Sequence, residues 1–529
     1  MAKFNIFRAR PAGTSPVATA PAPTALTYEG GDGYARDTKS ELFLLAVSNM
    51  GGEHTFYESG GQRDTRFASL VHKAALTDPE WTARLLKWLR GEANMRTASL
   101  VGAAEFVLAR LLDPSDAGVT NRAVIDSVLL RADEPGELLA YWTGTNGRRV
   151  PKPVKRGIAD AVKRLYDERA VLKWDSDARG FRMADVLNLV HPSPAADWQG
   201  ALFGYLLDRR RDGDVAVPEQ LRVVAARREL MAWPVEQRRA LFERPDAVDV
   251  LRRAGMTWEA VAGWLQGPLT REVWEALAPS MGYMALLRNL RNFDEAGMSD
   301  DVAAAVAARL ADPGQVARSR QFPFRFLSAY EAAPSLRWGH ALDQALQASL
   351  RNLPALPGRS LILVDTSASM THGTISAKSK VTPAKAAAVF GVALGAKGEQ
   401  VDVVGFADGT FRHDIACGAS VIRTVDQFLK RIGEVGHGTD IAGSLQRSYR
   451  GHDRVFIVSD MQTMGGHWGQ GVSEAVPRHV PIYGFNLGGY QNAAYATGKA
   501  NRHEFGGLTD ATFRMVPLLE AGQNADWPF

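Results

Sequence analysis

The sequence predicts a two-part chain: a long all-α region of short helices, then an α/β domain with a doubly wound, largely parallel sheet. Three observations predict it. Between Thr38 and Asn352 apolar residues recur at helical spacing, and strand-like alternation is scarce. The Pro/Gly-rich stretch Leu353-Pro354-Ala355-Leu356-Pro357-Gly358 interrupts that pattern, as a domain boundary does. Beyond it, short β-branched runs alternate with helical segments, the mark of a sheet wound with crossover helices.

In chain order, residues 1–27 read as a disordered tail. Met1 to Arg10 carries three basic residues with no apolar run of secretory length behind them. Pro11 to Thr27 is rich in Pro, Ala and Thr, a composition with little to bury. Residues 28–357 read as the helical domain. Thr77-Asp78-Pro79-Glu80 is a helix start, with a capping box expected from Thr77 to Glu80. Leu85, Leu86, Trp88 and Leu89 follow at core spacing, and Val273 to Leu277 and Met284 to Leu290 repeat the pattern. Breaks fall at Asp113-Pro114, Glu134-Pro135-Gly136, Gly267-Pro268 and Asp312-Pro313-Gly314. Short helices joined by tight turns suggest stacked helical hairpins, as in HEAT-type solenoids, although no strict sequence period is present.

Residues 358–529 read as the α/β domain. Leu361-Ile362-Leu363-Val364 is a charge-free run suited to a strand buried on both faces. A helix follows Thr382-Pro383, with Ala386, Val389, Phe390, Ala393 and Leu394 on one face. Val401 to Phe406 is a strand that pairs with Phe411 to Ile415. Helices are expected near 424–432 and 441–449, and strands at Val455 to Ser459 and Ile482 to Asn486. In such folds ligands bind at the carboxyl ends of the strands.

Bulk composition narrows the class. The chain has 529 residues, 46% hydrophobic and 23% charged, an ordinary globular balance. A net charge of +4 permits a polyanionic partner without requiring one. Cys417 is the only cysteine, so no intrachain disulfide forms and cysteine-based zinc sites are excluded. No stretch approaches the ~18 apolar residues of a membrane span, and a cytoplasmic protein is expected.

The most informative segment is Asp365-Thr366-Ser367-Ala368-Ser369, at the end of the first α/β strand. One carboxylate and two hydroxyls leave a buried strand together, and hard oxygens of this kind suit Mg²⁺ or Mn²⁺. Gly436-His437-Gly438-Thr439-Asp440 adds a hydroxyl on a glycine-rich loop, and the strand Val455 to Ser459 ends in Asp460. The set Asp365, Ser367, Ser369, Thr439 and Asp460 resembles the metal-ion-dependent adhesion site of von Willebrand factor A domains. Neutral hydroxyls would leave the ion electrophilic, with an open position for an acidic ligand. The blander readings are a turn at Asp365-Thr366-Ser367 and a helix N-cap at Thr439.

The densest basic region runs from Gly147 to Arg182, with 11 cations against five acids. Arg148, Arg149, Lys152, Lys155 and Arg156 open it, and Lys173 and Arg179 lie later in it, with Tyr166, Trp174 and Phe181 interspersed. Cations bind phosphates and aromatics stack on exposed bases. A solvated helix face with intrahelical ion pairs would give the same composition. His191 reads equally as a helix-end histidine, and Arg288 and Arg291 as ordinary surface residues.

A helical region joined to this A domain resembles the Ro autoantigen family, the proteins of the TROVE domain. The likeness rests on Gly358 through Met370, Ala285-Leu286-Leu287-Arg288-Asn289-Leu290, Arg320-Gln321-Phe322-Pro323-Phe324, Lys155 through Asp160, and Asp185 through Pro192. It implies a HEAT-like ring closed by the A domain. It implies Y RNA on the basic outer surface, single-stranded 3′ ends of misfolded RNA in the central hole, and an exoribonuclease partner, polynucleotide phosphorylase. No catalysis is implied. His191 matches a histidine lining the hole, and Lys152, Lys155 and Arg156 match basic positions before it. The departure is at Lys173-Trp174-Asp175-Ser176-Asp177-Ala178-Arg179, where two aspartates dilute the family's basic cluster. Two other readings stand beside this one. The first is a Mg²⁺-dependent protein-binding adaptor without RNA. The second is a metal-dependent phosphotransferase or nuclease, for which His437 is the only nearby base by sequence.

Overall fold

The computed structural model describes residues 12–48, 55–113, 118–176, 180–321, 323–350, 356–374, 381–416, 419–465, 471–506 and 510–529. Arg179, Cys417, residues 1–11 of the expected tail and residues 353–355 of the expected boundary lie outside them. The chain forms two compact units. One is helical, Ala75–Gln321 with Ala329–Ala345. The other is α/β, Met1–Ala74 with Phe322–Ser328 and Leu346–Phe529.

In the helical unit, helices close in sequence pair in space. The helix Pro79–Gly91 packs on Arg96–Leu112, Asn121–Val128 on Lys152–Leu165, and Met183–Val190 on Asp197–Asp212. Leu85, Leu86, Trp88 and Leu89 are buried as their spacing predicts, and Trp264, Trp274 and Trp338 are core. The helix starts are chemically explicit. Asp78 caps Pro79–Gly91 by accepting from the Trp81 N–H at 3.0 Å. Thr77 belongs to the preceding helix Gly60–Thr77, so the expected Thr77–Glu80 capping box is replaced by an aspartate cap. Asp312 caps the helix Pro313–Ser319 in the same way. Glu134-Pro135-Gly136 is a first turn rather than a loop, because proline is tolerated where no N–H donor is needed.

Among the described residues the α/β unit has nine strands: β1 (Ala25–Leu26), β2 (Asp32–Ala35), β3 (Leu356–Asp365), β4 (Gly398–Phe406), β5 (Thr410–His413), β6 (Arg454–Ser459), β7 (Ile482–Asn486), β8 (Asn492–Ala493) and β9 (Arg502–Gly506). Six form one sheet in the order β5-β4-β3-β6-β7-β9. Every pairing in it is parallel except β4 with β5. Leu361 to Val364 are fully buried, as expected for a central strand covered on both faces. The helix Pro383–Lys397 covers one face with Val389, Phe390 and Leu394. Ile441, Leu445, Met461 and Tyr495 pack with Leu361, Leu363, Val455 and Ile457 on the other.

The described part of the N-terminal segment corrects the expectation of a tail. β1 pairs with β2, and β2 pairs with β8. Thr14 accepts from the Ala525 N–H, and Ser15 lies 3.0 Å from His503. Arg36 forms a buried ion pair with Glu504. Residues 12–48 are therefore part of the α/β unit, held by polar pairs that composition alone does not reveal.

Candidate metal centre and basic surface

β3 and β6 are parallel neighbours, with Val364 opposite Val458, so Asp365 and Asp460 leave the sheet side by side at its carboxyl edge. Asp365, Ser367, Ser369, Thr439 and Asp460 are all buried. The Ser367 N–H donates to Asp365 Oδ1 at 2.9 Å, and the Ser459 hydroxyl donates to Asp365 Oδ2 at 2.5 Å. Ser367 and Ser369 hydroxyls stand 3.2 Å apart. The Gln462 N–H donates to Asp460 Oδ1 at 3.1 Å.

Thr439 is placed by a residue outside the metal motif. Asp408, in the β4–β5 turn, accepts from the main-chain N–H groups of His437 at 2.8 Å and Gly438 at 3.1 Å. Those two bonds, Gly438 foremost, hold its carboxyl below the ordinary range. A side chain at Gly436 would meet the Asp408 carboxylate at 2.0 Å, and Gly436 has a φ of +93°, so glycine is required there. The loop is also tied to the first segment, since the Ala368 N–H donates to the His437 carbonyl at 2.9 Å. The Asp-Gly turn at 408–409 was the available sequence signal.

The helix-cap reading of Thr439 fails, because Asp440 does that work, accepting from the Gly443 N–H at 2.8 Å. Thr439 Oγ1 and Asp460 Oδ2 are instead buried without a hydrogen-bond partner. Orphaned buried oxygens are rare in native folds and call for a missing group. Burial raises both aspartates above the ordinary carboxylate range, and the Asp365 charge raises Asp460 further. Among the described residues no Lys or Arg forms an ion pair with either. Two buried carboxylates, three hydroxyls and no counter-cation fit a hard divalent ion such as Mg²⁺ or Mn²⁺. Among the described residues no third His, Cys, Asp or Glu joins them as a direct ligand. His437 is exposed and serves through its main chain. His452 is committed to Asp402 at 2.7 Å.

In the helical unit, Lys152, Lys155 and Arg156 fall on the helix Lys152–Leu165. Its one acid, Asp160, is taken by Arg122 at 2.5 Å, and Arg164 is taken by Asp126 at 2.9 Å. Among the described residues Lys152, Lys155 and Arg156 form no ion pair, so the intrahelical-pair reading does not hold for them. His191 sits exposed in a left-handed conformation (φ +48°) at the end of Met183–Val190, the helix packed on Lys152–Leu165.

Lys173 is exposed, but its ammonium lies 4.8 Å from the Trp174 ring centre, and Arg131 covers the same ring at 4.5 Å. Asp175 binds Arg182 at 2.8 Å and Arg209 at 2.5 Å, so this diluting acid is a structural anchor. Tyr166 is 1% exposed and is not available for stacking. Arg288 and Arg291 are exposed on the helix Tyr283–Glu295, and Arg291 meets Glu295 at 3.4 Å. A cavity of about 760 Å³ opens between Arg169, Lys173, Arg252, Trp258 and Tyr283. Arg252 was not legible as part of it, because it lies far along the chain.

The TROVE domain matches residues 251–339. The chain is 26% identical over 389 residues to the RNA-binding protein RO60 of Deinococcus radiodurans, covering 68% of each. Its fold matches the crystal structure of the Deinococcus radiodurans RO (RSR) protein with a TM-score of 0.59 at 18% identity, over 91% of this chain and 100% of that one. The helical unit thus carries a segment that matches the TROVE domain, and the chain is similar in sequence to an RNA-binding RO60 protein and in fold to a bacterial RO protein.

Proposed function

We propose that this protein is an RNA-binding scaffold without catalysis of its own. The observation that carries it is the set of uncompensated cations Lys152, Lys155 and Arg156, on a helix packed against the one that ends at exposed His191. Unpaired cations on one helix face suit a phosphate backbone, and binding of this kind is strongly salt-dependent. On the family likeness, the RNAs are small structured Y RNAs on the outer surface and single-stranded 3′ ends of misfolded RNA in the hole of a ring. An exoribonuclease is the natural partner, and the setting is the cytoplasm. Among the described residues no helix is long and apolar enough to cross a membrane. RNA recovered with the protein purified in mild salt tests the reading: a discrete small structured species is expected. No bound RNA, and no uptake of 3′ single strands, would overturn it.

The A domain adds a Mg²⁺ or Mn²⁺ site held by Asp365, Ser367, Ser369, Thr439 and Asp460, with a further acidic ligand. The orphaned Thr439 and Asp460 oxygens favour it. Its pH behaviour follows from the raised carboxyls. Without metal, the folded pair holds protons more tightly than the unfolded chain. The stability tied to those protons is complete below the unfolded carboxylate value, near 4, and is lost as pH rises toward about 8. Asp460→Asn is therefore expected to raise the metal-free melting temperature at pH 8 by a few degrees, while abolishing stabilisation by Mg²⁺. Thermal scans with and without millimolar Mg²⁺ check both halves, and an unchanged Mg²⁺ response in Asp460→Asn would exclude the site.

A further inference from the structure

The N-terminal segment brings a carboxylate, Glu29, to the residues that follow Asp460. Thr27 to Gly31 forms a tight turn, with the Gly30 N–H donating to the Thr27 carbonyl at 3.0 Å and the Thr27 N–H donating to the Gly31 carbonyl at 2.8 Å. The turn is clamped on the residues just after Asp460. The Thr27 hydroxyl donates to the Thr463 carbonyl at 2.5 Å, and the Gly31 N–H donates to the same oxygen at 3.1 Å. The Tyr28 N–H donates to Gln462 Oε1 at 2.9 Å, and Gly30 bridges to Met464. A Cβ at Gly31 would lie 2.5 Å from the Thr463 carbonyl, so the approach is too close for another residue.

Glu29 stands in this turn, partly buried. The Tyr57 hydroxyl donates a hydrogen bond to Glu29 Oε1. Tyr57 is held by stacking on Tyr28, with ring centres 4.9 Å apart and planes within 6°, and by edge contact with Tyr490 at 5.3 Å. Tyr490 in turn lies beside Asp460 across Gly488; the Asp460 charge helps raise the Tyr57 hydroxyl, and the Glu29 charge helps raise Asp365 and Asp460. Neighbouring Glu58 is neutralised by Arg63 and Arg66. Among the described residues Glu29 has no cationic partner. Among the described residues none of Glu29, Asp365 and Asp460 forms an ion pair, and Thr439 Oγ1 and Asp460 Oδ2 lack hydrogen-bond partners.

The geometry points to Glu29 as an outer-shell acid of the metal site, supplied in cis and acting through the Tyr57 hydroxyl. This rests on the metal reading above.

The test is Mn²⁺ binding to the full chain, followed by electron paramagnetic resonance or calorimetry, with Glu29→Gln and Tyr57→Phe. Both variants keep the turn's hydrogen bonds to Gln462, Thr463 and Met464. Each is expected to weaken Mn²⁺ about ten-fold, the usual scale for an outer-shell partner of a metal ligand. Added acetate should restore affinity in Glu29→Gln and leave the wild type unchanged. Wild-type Mn²⁺ affinity in both variants overturns the proposal and leaves the metal site standing. A loss in Glu29→Gln that acetate does not rescue also overturns it, reducing Glu29 to a distant charge. No Mn²⁺ binding by the wild type overturns both the proposal and the metal reading beneath it.

Discussion

Arg36→Ala is expected to destabilise the α/β unit by about 3–5 kcal/mol, the cost of leaving one member of a buried ion pair uncompensated. Arg36 donates to Glu504 through Nε at 3.1 Å and Nη2 at 2.6 Å, and to the Tyr490 carbonyl through Nη1 at 2.7 Å. The two side chains are 0% and 1% exposed. Truncation strands the Glu504 carboxylate inside the sheet, where only the Asn486 amide, at 2.8 Å, still donates to it. The double variant Arg36→Met with Glu504→Gln removes both charges and keeps an acceptor for Asn486, so it should recover more than half of the loss. Hydrogen exchange of β7 and β9 amides reads the unit itself, which a single melting temperature of a two-unit chain does not. A loss below about 1 kcal/mol would show that the N-terminal segment is loosely attached.

That pair also explains what the sequence could and could not disclose. Apolar runs such as Leu361 to Val364 and Val455 to Val458 announce themselves, because a strand buried on both faces has no other composition to choose. The candidate metal residues stood out for a related reason: oxygen-bearing side chains placed directly after such runs have few structural duties. β9 was not legible. Arg502-His503-Glu504-Phe505-Gly506 reads as a polar surface segment, yet all five residues are buried. Arg502 is spent on the Val480, Asn501 and Ser473 carbonyls, and Glu504 on Arg36 and Asn486. The same internal satisfaction hid residues 12–27, where Pro, Ala and Thr suggest disorder while Thr14 and Thr27 supply long-range bonds. Periodicity detects what is excluded from water for being apolar. It is blind to polar groups that are excluded because a distant partner satisfies them.

Replacing Lys152, Lys155 and Arg156 together with alanine is expected to flatten the salt dependence of RNA binding while leaving the fold intact. Val154, Ile158, Ala161 and Val162 anchor that helix and are untouched, and the three cations hold no acid whose charge would be stranded. If each contacts one phosphate, the logarithmic salt slope falls by about 0.9 per contact on duplex RNA regions, and somewhat less on single strands. For three contacts the wild type should lose about 40-fold more affinity than the variant between 50 and 200 mM salt. Arg164→Ala is the contrasting control. Arg164 binds the Asp126 carboxylate and the Leu129 carbonyl, so its loss should lower stability and leave the salt slope alone. Arg291→Ala should have a small effect, because its charge is already shared with Glu295. Filter binding across a salt series separates these outcomes, since a phosphate-contacting cation changes the slope whereas a structural arginine changes only the amount of folded protein. Equal slopes for wild type and triple variant would move the RNA surface elsewhere on the helical unit, to the cavity rimmed by Arg169, Lys173 and Arg252.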